Sequence, residues 1–129
     1  MPKGPITCHV LDVSIGRPAE GVEVNLQVYH KGNGGIDVFS PLAQGTTDAD
    51  GRCTTLLPPV GSAEANEKER GVQAGTYKMV FKPKSYFERN GSKCFYPWVE
   101  IVFEIENPNE HYHIPLLISP YSFTTYRGS

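Results

Sequence analysis

The feature that most constrains this chain is an apolar/polar alternation of period two, repeated in well-separated stretches. Val22, Val24, Leu26 and Val28 alternate with Glu23, Asn25, Gln27 and Tyr29. Val99, Ile101, Phe103 and Ile105 alternate with Glu100, Glu104 and Glu106 in the same way. Successive side chains of a strand point to opposite faces, so such segments pack one face on a core and turn the other outward. Thr7–Asp12, Thr76–Phe81 and Tyr112–Ile118 are further strand candidates, with shorter ones at Asp37–Leu42 and Cys53–Leu57. Between them lie turn-forming clusters: Gly16-Arg17-Pro18, Lys31-Gly32-Asn33-Gly34-Gly35, Asp48-Ala49-Asp50-Gly51 and Asn107-Pro108-Asn109. No long stretch has the 3.6-residue period of a helix. Seven or eight short strands separated by turns predict an all-β, two-sheet sandwich. One short helix is expected at Ser85–Asn90, with Ser85 as its cap and Gly91 as its stop.

A chain of 129 residues supports one domain, 1–129, with one core. The polar stretch within Pro58–Gly75 has no periodicity and reads as an exposed loop of that domain. Net charge is −2 with both signs interspersed, which leaves no basic face for nucleic acid. No apolar run approaches the ~20 residues of a membrane-spanning helix. No targeting signal is readable at either end, so a cytoplasmic location is expected, with import into peroxisomes left open. Cys8, Cys53 and Cys94 have neither the number nor the spacing of a disulfide framework or thiolate zinc site, and read as free thiols. A nucleophilic Cys8 activated by His9 is set aside, because strand neighbours point to opposite faces.

Three of the four histidines can be read together. His111 and His113 are two apart on a strand and share a face, ~7 Å apart along it. His9 lies mid-strand, sharing a face with Leu11. Three readings compete for this set. A zinc site is weakly supported, because His-x-His alone is not a specific ligand pattern. Metal-free acid–base catalysis needs a histidine to take a proton from water and a cation to stabilise the developing charge. Arg52 and Arg127 are the cations for that role. Surface decoration is the third. Asp48-Ala49-Asp50-Gly51 lacks the later ligands of a calcium loop and reads as a tight turn presenting Arg52. The terminal Phe123–Ser129 stretch is aromatic nearly to its end, which predicts a last strand tied into a sheet rather than a frayed tail.

Taken together, His9-Val10-Leu11-Asp12, Gly16-Arg17-Pro18-Ala19-Glu20-Gly21-Val22, Thr47-Asp48-Ala49-Asp50-Gly51-Arg52 and the segment Asn109–Ser122 resemble the transthyretin family over nearly the whole chain. The final Tyr126-Arg127-Gly128-Ser129 resembles the branch of that family that hydrolyses 5-hydroxyisourate, as do His9, where the hormone carriers have lysine, and the pair His111 and His113. The resemblance implies a sandwich of four plus four strands assembled as a homotetramer, with sites in a channel at the subunit interface. It implies opening of the 5-hydroxyisourate lactam to a ureidoimidazoline on the route from urate to allantoin, without metal or cofactor. It carries over His9, Arg52, His113 and Ser129 as the catalytic set. Tyr126, Arg127, Gly128 and His111 are carried over as substrate-binding neighbours. The Pro58–Gly75 stretch departs from the pattern by its length. The competing expectations are a small-ligand carrier on the same fold and an immunoglobulin-like interaction module, since a fold alone does not fix a function.

Overall fold

The computed structural model describes residues 3–58 and 72–129. Within them two sheets pack face to face. The first contains β1 (Ile6–Asp12), β2 (Arg17–Pro18), β5 (Arg52–Cys53), β8 (Tyr112–Ser119) and β9 (Ser122–Thr125). Its order is β2-β1-β8-β9, and β5 pairs with the same side of β1 as β2. The second contains β3 (Glu23–Lys31), β4 (Asp37–Thr46), β6 (Gly75–Lys82) and β7 (Val99–Ile105), in the order β4-β3-β6-β7. The expected four-plus-four sandwich is therefore present, with β2 and β5 as two short strands sharing one edge of β1.

The alternation in the sequence is the alternation in burial. Val24 and Leu26 of β3 and Met79 and Phe81 of β6 are fully buried. They meet Ile6, Cys8 and Val10 of β1 and Ile114, Leu116 and Ile118 of β8 in one core. Burying each such side chain contributes about 1.5–3 kcal/mol, so the pattern fixes which face of each strand looks inward. Cys8 and Cys53 lie opposite each other across the β1–β5 pair as buried free thiols. The hydrogen bond to Cys53, with burial, pushes the Cys8 thiol up, away from the reactive thiolate.

Three local expectations change. The strand expected over Cys53–Leu57 is only Arg52–Cys53; Leu56 and Leu57 are buried beyond it without ladder pairing. The strand at Asp37 runs on to Thr46, across Pro41 and Gly45, because β4 is an edge strand with a register shift opposite Leu26 and Gln27. The helix, α1, spans Lys84–Arg89; Pro83 occupies its cap position and Ser85 lies inside the first turn. Gly91, with φ 77°, stops the helix as expected. Tyr86 of α1 donates to the buried Asp12 carboxylate at 2.8 Å and ties the helix to the end of β1. Most of the stretch expected as an exposed loop, residues 59–71, lies outside the described residues, and Gly75 already belongs to β6.

Candidate active site

The outer face of the first sheet carries the residues that period two turns away from the core. On β1 these are Thr7, His9 and Leu11; on β8 they are His113, Pro115 and Leu117. The two strands run parallel, and their register sets Thr7 beside His113 and His9 beside Pro115. The His9 and His113 rings stand 6.5 Å apart between centroids. His111, just before β8, stacks 6.4 Å from His113. His9 and His113 are half-buried, whereas His111 is exposed.

Arg52 arrives from the other side of β1, where β5 pairs His9 with Arg52. The turn before it is fixed by Asp48, whose carboxylate accepts from the backbone N–H of Asp50 at 2.9 Å and of Arg52 at 3.0 Å. Gly51 sits at φ 74°, and a Cβ there would run into the Val10 carbonyl oxygen. Val10 N–H donates to the Gly51 carbonyl at 2.7 Å, so the turn is clamped directly on β1. Only glycine fits that approach. Among the described residues the exposed Arg52 guanidinium makes no salt bridge, so its donors remain available for an anionic or carbonyl group.

Thr7 is the residue that sequence reasoning missed. Its hydroxyl lies 2.7 Å from His113 Nδ1 and 2.9 Å from His111 Nε2, and the residue is 1% exposed. The signal was present in the sequence: a hydroxyl two residues before His9 must share its face. Its partners, 104 and 106 positions away, become visible only with the β1–β8 register. Those hydrogen bonds occupy one ring nitrogen of each histidine, and no group of three metal-ligating side chains forms among the described residues.

The chain end reaches the site through Gly128. Gly128 forms a bridge with His113, its N–H donating to the His113 carbonyl at 2.9 Å. A Cβ at Gly128 would stand 2.6 Å from His113 Cδ2, so the absence of a side chain permits this approach. Ser129 follows and is exposed. The Tyr126 and Arg127 side chains do not join the histidine rings. They line a cavity of about 450 Å³ with Ile101, Phe103, Tyr112 and Ile114, between the β7 and β9 edges. Arg127 pairs with Glu110 at 3.0 Å and lies over the Tyr112 ring, so it is not a free cation of the histidine cluster.

The electrostatics favour neutral imidazoles. Burial, then the Arg52 charge, holds His9 below its ordinary value. Burial holds His113 down as well, followed by the charges of His9, His111, Arg52 and Lys3. A neutral His113 at pH 7 has a lone pair to offer, and protonating it costs more than for a free histidine. Activity that depends on this lone pair is lost as pH falls through the His113 value. The acid limb of kcat/KM is therefore expected below pH ~6.5, the ordinary value of the side chain. A pH–rate profile checks this, and a limb centred above that value would contradict the electrostatics described.

Fold and site together define a transthyretin-like sandwich bearing a titratable cluster on the outer face of one sheet. The model of the HIUase/Transthyretin family matches residues 6–128, and the chain belongs to that family. It is 38% identical over 125 residues to 5-hydroxyisourate hydrolase of Mus musculus, covering 97% of this chain and 95% of that one. It is 41% identical to the uric acid degradation bifunctional protein TTL of Arabidopsis thaliana, where it covers 97% of its own length but 37% of that larger protein. Among solved structures it resembles 5-hydroxyisourate hydrolase of Klebsiella pneumoniae, with TM-score 0.73, 32% identity and coverage of 98% and 94% of the two chains. Sea bream transthyretin in complex with thyroxine superposes with TM-score 0.77 and 31% identity, covering 96% and 94%.

Proposed function

We propose that this chain hydrolyses 5-hydroxyisourate by opening its lactam ring, in the degradation of urate. The observation that carries this reading is the convergence of two neutral-favouring histidines, an arginine without a salt bridge among the described residues, and Gly128 on one face of one sheet. The relatives named as 5-hydroxyisourate hydrolases, similar along nearly their whole length, support it.

The chemistry follows from the groups present and uses no metal. Water attacks the lactam carbonyl carbon while His113, through the ring nitrogen not held by Thr7, accepts its proton. His9 helps to hold that water. The new C–O bond places negative charge on the carbonyl oxygen, which the Arg52 guanidinium stabilises. Collapse breaks the C–N bond, and the proton held by His113 goes to the leaving nitrogen. Ser129, exposed next to Gly128, orders substrate and water through its hydroxyl.

The active form in this reading is a homotetramer. Among the described residues the strands β7 and β9 leave unpaired edges, and Val102, Phe123, Trp98, Phe95 and Tyr121 beside them are exposed. Open edges and clustered apolar side chains call for a partner surface. A second copy of the chain supplies one, and face-to-face pairing of the sheets bearing His9 and His113 would enclose the site. Light scattering should give a mass four times that of the chain.

The direct test generates 5-hydroxyisourate in place with urate oxidase and follows its absorbance. Added protein should accelerate the decay in proportion to its concentration. Decay unchanged by added protein would leave the ligand-carrier alternative in its place.

A further inference from the structure

The Thr7 hydroxyl bridges two histidine rings that lie more than a hundred residues away from it in the chain. A hydroxyl has one hydrogen. At 1% exposure Thr7 has little access to solvent, so the two rings are the partners its hydroxyl serves. It therefore donates to one ring nitrogen and accepts from the other. If it donates to His113 Nδ1, the proton of neutral His113 sits on Nε2 and that nitrogen is no base. If it donates to His111 Nε2, His113 carries its proton on Nδ1 and Nε2 is left with a free lone pair. Only the second arrangement supplies the base that the hydrolytic reading requires, and the present inference rests on that reading.

We propose that Thr7 is a positioning residue that fixes His113 in its Nδ1–H tautomer and passes the positive charge formed there to His111. When His113 Nε2 takes the proton of water, its Nδ1 proton moves to Thr7 Oγ1, and the Thr7 hydroxyl proton moves to His111 Nε2. His113 is then neutral with its proton on Nε2, and His111 is the cation. Delivering the Nε2 proton to the leaving nitrogen lets both transfers run backwards, and the starting tautomers return. Every proton is accounted for and none is exchanged with bulk water.

The electrostatic layout explains why such a relay helps. A cation on His113 forms in a half-buried position beside the charges of Arg52 and Lys3, which oppose it. His111 is exposed, and charge there is screened by water. Glu110 precedes it and is paired with Arg127, whose guanidinium also reaches the His111 carbonyl at 3.4 Å. Moving the charge by one hydroxyl thus carries it away from the arginine that must hold the oxyanion.

The test compares Thr7→Val, which keeps the shape and strand preference, with Thr7→Ser, which keeps the hydroxyl. Thr7→Val should lower kcat by about 10²-fold, the lower range for a disabled acid–base group, with KM changed less than about threefold. Thr7→Ser should recover most of that loss. Nitrogen-15 NMR of histidine-labelled protein should show neutral His113 protonated at Nδ1 in the wild type and as a tautomer mixture in Thr7→Val. In the double variant Thr7→Val/His111→Ala, kcat should fall no further than in the slower single variant. A wild-type His113 protonated at Nε2, or Thr7→Val with wild-type kcat, overturns the relay. The NMR readout needs no substrate, so failure of the relay is distinguishable from failure of the hydrolase reading, which shows as no turnover in the wild type.

Discussion

His113→Ala should reduce kcat for 5-hydroxyisourate by ~10²–10⁴-fold, the span of a general acid–base group. Two features place the effect in the chemical step. His113 is held on three sides: by Thr7 at 2.7 Å, by stacking with His111, and by the close approach of Gly128. Burial holds its value below the ordinary one, so at pH 7 it is neutral with a lone pair to offer. The fold should survive. The side chain points out of the sheet, and the hydrogen bond from Gly128 goes to the His113 backbone carbonyl, which alanine retains. The diagnostic observation is the pH profile, since the acid limb should flatten along with the loss of rate. Turnover within threefold of wild type in a folded tetramer would remove His113 from the mechanism and leave His9 as the base.

Arg52→Ala is expected to cost ~10²–10³-fold, the range for removing an oxyanion donor. Its signature differs: the acid limb persists, because the histidines remain. Loss of the neighbouring positive charge moves the limb slightly upward, as both His9 and His113 are held down in part by Arg52.

How much of this was legible in the sequence follows the range of each interaction. Period two in Val22–Tyr29 and Val99–Ile105 forecast the burial of β3 and β7, because face selection in a strand is a local property. The end of α1 was readable from Gly91, but its start was not, since Pro83 took the place expected of Ser85. The extension of β4 through Pro41 and Gly45 depends on its edge position, which no local pattern encodes. At the site, His111 and His113 were legible as a face-sharing pair, His9 as a third histidine to be read with them, and the Asp48–Gly51 turn as the element presenting Arg52. Two aspects depended on long-range register. One is Thr7, whose partners are set by the parallel pairing of β1 with β8. The other is the division of the terminal tetrapeptide, where alternation sends Gly128 to the histidines and Arg127 to Glu110 and Tyr112.

That division makes Gly128→Ala the sharpest probe of the chain end, with an expected fall in kcat/KM of about 10²-fold. The added methyl would stand 2.6 Å from His113 Cδ2 and 3.1 Å from Pro115 Cγ. Both neighbours belong to β8, which is locked between β1 and β9, and Thr7 restrains the ring. The tail is held by one bridge at Gly128 and by an exposed ion pair at Arg127, so the tail is what moves. A displacement of about 1 Å in a catalytic constellation is enough for a loss of that order. Stability should hardly change, with Tm within about 2 °C of wild type, because nothing buried is lost. Removing Tyr126–Ser129 altogether should give at least the same loss of activity and a folded sandwich. If Gly128→Ala and the truncated chain both turn over at the wild-type rate, the chain end has no part in the reaction, and His9, Arg52 and His113 carry it alone.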